Sequence, residues 1–184
     1  MYRAVAWLAD GRGLPLGDEP SIAQLAQSVA LDVENGRVMI DGHDVTTVIR
    51  TAAMDRASAS VAQLPSVRHV LVERQRALGA HGGIVMEGRD IGTVVFPDAD
   101  LKIYLDADPA ERARRRAMDP AHQVNGGPVA AVADAMAARD RSDSTRLTSP
   151  LVVAGDAVHI DTTGIAVDDV VEKVLGLVRT MTNE

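Results

Sequence analysis

The sequence predicts an α/β domain, a parallel sheet with helices on both faces joined to a small antiparallel insert. Three observations lead there. From residue 84 onward, short apolar runs alternate with helical stretches, the pattern of parallel strands connected by crossover helices. Before that, Leu31 to Val45 breaks into short strand candidates divided by Asn35-Gly36 and Asp41-Gly42, the dipeptides of tight hairpin turns. Finally, 46% of the residues are hydrophobic and only 2% aromatic, enough for one sizeable core built from Ala, Val, Leu, Ile and Met rather than rings. A length of 184 residues suits a single domain carrying an inserted lobe.

Taken in order, Tyr2 to Ala9 is apolar and compatible with a helix that Gly11-Arg12-Gly13 closes, and Glu19 to Ala30 reads as a second helix. Leu31-Asp32-Val33, Arg37-Val38-Met39-Ile40 and His43-Asp44-Val45 form the meander. Ala52 to Gln63 and Ser66 to Leu78 are helical, separated by Pro65. Ile84 to Met86, Leu101 to Leu105 and Ala157 to Ile160 read as buried parallel strands. Asp108-Pro109 is a helix start, with Asp108 as cap and Pro109 at the first helical position. That helix reaches about Met118, a loop spans Asp119 to Pro128, and Val129 to about Arg141 is helical again. Val167 to Val178 is a closing amphipathic helix, and the methionines read as core filler.

Charge and composition exclude several classes of function. A net charge of −7 argues against a general nucleic-acid surface. With no cysteine, disulfides, thiolate metal sites and Cys nucleophiles are out. His43, His69, His81, His122 and His159 lack metal-ligand spacing. No apolar run reaches membrane-spanning length and the amino end is no signal peptide, so a cytoplasmic protein is expected.

Against this acidic background the arginines stand out. Arg89-Asp90 comes directly after the apolar run Gly83 to Met86, placing a charged pair at the carboxyl end of a strand, where open α/β sheets bind ligands. Arg89 offers a planar fork that fits a phosphate, and Asp90 can accept from an amino or hydroxyl group. By itself the pair is equally a turn with a surface ion pair. Arg139, Asp143 and Arg146 share a helix face at spacings of four and seven, which a salt-bridged surface would also show. Arg112, Arg114, Arg115 and Arg116 crowd one helix beside the 119–128 loop, either a solvated basic face or the hinge of a lid over polyphosphate. Arg3 and Arg68, taken singly, read as surface residues near apolar helix faces.

Together these features resemble one family. Gly88-Arg89-Asp90-Ile91-Gly92-Thr93-Val94-Val95-Phe96-Pro97-Asp98, the Glu111-Arg112-Ala113-Arg114-Arg115-Arg116 helix and Arg139-Asp140-x-x-Asp143-x-x-Arg146 occur in the order found in bacterial cytidylate kinases. The similarity covers essentially the whole chain. It implies a P-loop NTPase-like parallel sheet, with residues 31–78 as the CMP-binding insert and 112–128 as the lid region. It also implies ATP-dependent phosphoryl transfer to CMP and dCMP, with ATP and Mg²⁺ as cofactors. The partners implied are small nucleotides only, with no nucleic acid and no membrane, bound by a monomer. Arg3, Arg89 and Arg146 match arginines that hold the CMP phosphate, and Arg139 and Asp143 the pair that binds ribose. Arg68 and Asp90 match groups that read cytosine. Arg112, Arg115 and Arg116 match lid arginines that stabilise the transferring phosphoryl group.

Two departures qualify the resemblance. Ala59 stands where the family has a serine touching cytosine, which passes base contact to Ser58 or Ser60 or weakens it. More important, no G-x-x-x-x-G-K-[ST] loop, the cradle of the ATP phosphates, occurs in the sequence. In the family that loop precedes the Tyr-Arg with which this sequence opens, along with the first two strands and first helix. The expectation is therefore a poor kinase and a marginal fold for the chain as written, through a start assigned at an internal methionine. The alternative is a vestigial nucleotide-binding protein. The strands at 84–86 and 101–105 would lack a central neighbour, and would either present unpaired edges or pair with each other.

Overall fold

A computed structural model describes residues 1–34, 36–119 and 128–182. The chain opens with α1 (Tyr2–Gly11) and α2 (Glu19–Ser28), then the strands β1 (Leu31–Glu34), β2 (Arg37–Ile40) and β3 (His43–Asp44). Next come α3 (Ala52–Val61), α4 (Pro65–Leu78) and a single π-helical turn (Ile91–Val95). The remainder is β4 (Ile103–Asp106), α5 (Pro109–Met118), α6 (Val129–Thr145), β5 (Val158–Asp161) and α7 (Val167–Thr182).

Local chemistry explains most of these boundaries. Asp18 caps α2 by accepting from Ser21 N, and Thr51 caps α3 by accepting from Met54 N. Asp108 accepts from Ala110 N at 2.8 Å with Pro109 opening α5, as the sequence predicts. The meander is antiparallel in the order β1-β2-β3. Asp41 and Gly42 both have positive φ, 50° and 80°, which is the backbone of the tight hairpin turn that their dipeptide favours. Asn35 of the other turn lies outside the described residues, as do residues 120–127 of the expected loop.

The core belongs to the amino-terminal half. Val5 of α1, Ile22 of α2, Ile40 of β2, Val61 of α3 and Leu71 of α4 are fully buried in one cluster. Rings are almost absent from it, as the composition requires, and packing rests on branched aliphatics and alanine. The methionines divide: Met54 joins the core, whereas Met118 and Met181 are exposed and fill nothing.

The carboxy-terminal half is thinner. β4 and β5 pair in parallel, Ile103 opposite Val158 through Asp106 opposite Asp161. Helix α5 packs on α6, while no residue of α7 is buried. The expected strand at Ile84 to Met86 does not form. Among the described residues this segment joins no ladder, β4 pairs only with β5, and Val85 is 99% exposed. An apolar run becomes a strand only when another backbone meets its N–H and C=O groups, and here no neighbour does. Neither outcome expected for a strand at 84–86 is therefore found, since among the described residues the segment is not a strand. The architecture is mixed α/β, with one parallel and one antiparallel sheet among many helices, consistent with the fold class the sequence predicts.

The π-turn beyond this segment is nevertheless well anchored. Arg76, near the end of α4, donates to the carbonyls of Val95 at 3.0 Å and Val94 at 2.7 Å. Those bonds clamp the end of the π-turn, which Asp90 immediately precedes, to a core helix.

Candidate active site

Arginines from five elements converge beside that turn. Arg3 projects from the first turn of α1, Arg68 from α4, Arg89 from just before the π-turn, Arg112 and Arg116 from α5, and Arg139 from α6, with Arg146 at its end. Aspartates hold them together. Asp143 faces Arg89 Nε at 2.8 Å, Arg146 at 3.1 Å and Arg139 at 3.9 Å. Asp140 bridges Arg89 and Arg112, the latter at 2.6 Å. Asp55 pairs with Arg3 and lies 3.5 Å from Arg139 and 3.6 Å from Arg116. Asp90 pairs with Arg68. Arginines outnumber carboxylates in this network, so it is a positive site in an acidic protein.

Burial distinguishes the members of the network. Arg68 and Asp90 are 2% and 8% exposed and Asp143 is 5% exposed. Arg68 donates to Ala62 O at 3.1 Å and lies 5.5 Å from the centroid of the Tyr2 ring, while its buried Nε has no hydrogen-bond partner among the described residues. The surface reading of Arg68 is thus corrected: the guanidinium is interior because Asp90 and Ala62 satisfy part of it. Arg3 is likewise drawn in, donating to Ile49 O at 3.0 Å.

The environment moves several titrations. Burial pushes the Tyr2 hydroxyl up to about 12. Burial also lowers Arg3 and Arg146, and neighbouring cations, Arg139 for Arg3 and Arg68 for Arg146, add to the effect. Burial opposes the charge of Arg89, but the bonds to Asp143 and Asp140 outweigh it and raise its pKa. Asp140 is destabilised by burial, yet Arg112 and Arg89 hold its carboxyl below the usual range.

Two hollows open on this network. One of about 290 Å³ is lined by Arg112, Arg115, Arg116, Asp119 and Met136. The other, about 300 Å³, is lined by Gln63, Pro65, Ser142, Thr145, Arg146, Leu147 and Thr148. The guanidinium groups of Arg112, Arg115 and Arg116 on the wall of the first hollow suit a multiply charged anion.

The chain matches the cytidylate kinase family over residues 1–180. It belongs to that family. It is 42% identical over 181 residues to the cytidylate kinase of Solibacter usitatus, covering 97% of this chain and 78% of that one. It is 45% identical over 183 residues to the cytidylate kinase of Pelotomaculum thermopropionicum, covering 97% and 81%. A bifunctional pantoate ligase/cytidylate kinase of a Synechococcus strain is 44% identical over 186 residues, spanning 97% of this chain and 34% of that protein. The chain is accordingly a member of a family of nucleotide-binding kinases.

Most residues singled out in the sequence meet in this network, though not all. Arg3, Arg68, Asp90, Arg89, Arg112, Arg116, Arg139, Asp143 and Arg146 lie in the network described. Arg115 is on the same helix but is held elsewhere, bonded to Glu111 at 2.7 Å and to the Thr162 hydroxyl and carbonyl at 2.9 and 2.6 Å. Arg114 is a surface partner of Glu111. Ser58 is buried and donates to Asp55 O within its own helix, whereas Ser60 is exposed and bonds Arg56 O. Residues 120–127 of the lid region lie outside the described residues. The sequence gives no role to Asp55 or Asp140, which organise most of the arginines. The signal for Asp140 was present, three residues before Asp143 on the same helix. Asp55 carried none, since nothing local to α3 foretells partners from α1, α5 and α6.

Proposed function

We propose that the arginine network is the acceptor site for CMP and dCMP, and that the activity it serves is ATP-dependent transfer of the γ-phosphoryl group to give CDP or dCDP. The observation that carries this is the convergence of Arg3, Arg89, Arg139 and Arg146 with Asp143. Cationic forks for a phosphate and a carboxylate for hydroxyl groups stand side by side. In this reading Arg3, Arg89 and Arg146 hold the phosphate, Arg139 and Asp143 the ribose, and Arg68 and Asp90 the base, with Ser58 or Ser60 beside it. The unpartnered Nε of Arg68 is a donor available for cytosine. Residues 31–78 form the CMP-binding insert, 112–128 the lid region, and the protein acts as a monomer.

Transfer forms a bond from a CMP phosphate oxygen to the γ-phosphorus of ATP and breaks the bond to the β-phosphate oxygen, releasing ADP. Such a reaction needs placement and charge stabilisation rather than a side-chain nucleophile. Arg112 and Arg116, with Arg115 after release from Thr162, would supply cationic stabilisation as the phosphoryl group passes. Mg²⁺ accompanies ATP in this chemistry and is held there chiefly by phosphate oxygens and water with one or two carboxylates, so it would come with the nucleotide; among the described residues no group of three or more His, Asp or Glu side chains stands together.

A second reading is nucleotide binding without transfer. The two readings separate cleanly. Calorimetry with CMP, dCMP, UMP and AMP tests the acceptor site, and a coupled assay with ATP tests transfer. Selective CMP or dCMP binding with CDP formation is expected from the first reading, and selective binding alone from the second. Equal affinity for all four monophosphates, or for none, would overturn the acceptor site itself.

A further inference from the structure

We propose that Asp55 is a built-in counter-anion that occupies the acceptor-phosphate cradle and sets its affinity, an inference that rests on the acceptor-site reading above. The placement is unusual for a helix carboxylate. Asp55 lies in the first turn of α3, where the helix dipole already favours a negative charge. Its carboxylate meets guanidinium groups from three other helices, Arg3 of α1, Arg116 of α5 and Arg139 of α6. Its side chain is only 18% exposed, so this positive field is weakly screened.

A phosphate held by Arg3 would want the same N–H groups that now face Asp55. Arg3 has little freedom to serve both separately, since Nη1 is committed to Ile49 O and Nη2 to Asp55. The carboxylate therefore does two things. It holds three like charges together in the absence of ligand, which spares the site a reorganisation on binding. It also competes with the incoming phosphate, as one anion beside another. Asp55 acts through the arginines and is a positioning residue, not a catalytic one.

The two effects predict opposite outcomes when the charge is removed and the shape kept. Calorimetric affinities for CMP, cytidine and inorganic phosphate in the wild type, Asp55→Asn and Asp55→Glu decide between them. Competition predicts that Asp55→Asn binds CMP and inorganic phosphate on the order of tenfold tighter. Cytidine binding stays as it was, and Asp55→Glu returns towards the wild type. A merely structural Asp55 predicts the reverse, with CMP and phosphate weakened in Asp55→Asn, and that result overturns the proposal. Should Asp55→Asn fail to fold by thermal melt, Asp55→Ser poses the same question. CMP binding in the wild type without a gain in the neutral variants defeats this inference alone. Failure of every variant to bind CMP or phosphate defeats the acceptor site along with it.

Discussion

Removing the carboxylate of Asp90 should destabilise the protein far more than removing both members of its ion pair. Arg68 and Asp90 side chains are 3% and 9% exposed, so the pair behaves as buried charges do rather than as surface ones. In Asp90→Ala the Arg68 guanidinium keeps one bond, to Ala62 O, with Nε already unpartnered and the Tyr2 ring 5.5 Å away. Stranding a buried cation in this way costs about 3–5 kcal/mol, a large share of a typical total stability of about 5–15 kcal/mol. Replacing both, Arg68→Met with Asp90→Leu, removes the two desolvation penalties together and should leave stability within about 1–2 kcal/mol of the wild type. The backbone carbonyl of Asp90, which accepts from Val94 N at 2.9 Å, is present in every variant. Urea unfolding monitored by circular dichroism across the double-mutant cycle gives the coupling directly. A loss below about 1 kcal/mol in Asp90→Ala, the range of a hydrated surface pair, would refute the buried-pair account. So would a double variant as unstable as the single one.

Three further outcomes are expected. Glu111 is drawn down to about 2 by the bonds it accepts from Arg114 and Arg115. Its folded pKa lies below the unfolded value, so its contribution is complete above about pH 4.3 and is lost as pH falls through about 2. A carboxyl titration by NMR with a midpoint near 4 would contradict this, and Glu111→Gln should remove the transition. Alanine at Gly79 would put its Cβ 2.8 Å from Phe96 Cε1, which predicts a loss of about 1–3 kcal/mol by overpacking; trimming the ring in Gly79→Ala/Phe96→Leu should recover part of it in thermal melts. Arg146→Met should weaken CMP binding about tenfold or more, since a charge-assisted bond is worth about 1.5–3 kcal/mol, and leave cytidine affinity nearly unchanged; equal losses for both ligands would place Arg146 outside the phosphate subsite.

Much of the site was legible because its chemistry is carried by local patterns. Arg139, Asp143 and Arg146 stand at spacings that one helix face brings together, and Asp143 does face both arginines. Capping by Asp108 and the turn at Asp41-Gly42 are decided within a few residues, so they were readable too. Ile84 to Met86 was not. Its composition satisfies every local criterion for a buried strand, yet a strand is a relation between two backbones, and no partner meets it among the described residues. Arg3 and Arg68 were misread for a related reason: a lone arginine looks like surface until its counter-ion arrives from another element.

No helix among the described residues is long and apolar enough to cross a membrane, as the hydropathy of the sequence indicates. By itself the sequence determined which helices form, the cap at Asp108, the shared face of Arg139, Asp143 and Arg146, and the kinship with cytidylate kinases. Each of these rests on contacts a few residues apart or on a motif in linear order. Only the tertiary structure decided which charges meet. It placed Asp55 among arginines from three other helices, sank Arg68 against Asp90, and turned Arg115 towards Thr162. Electrostatic partnership depends on distance and burial in space, and linear order encodes neither.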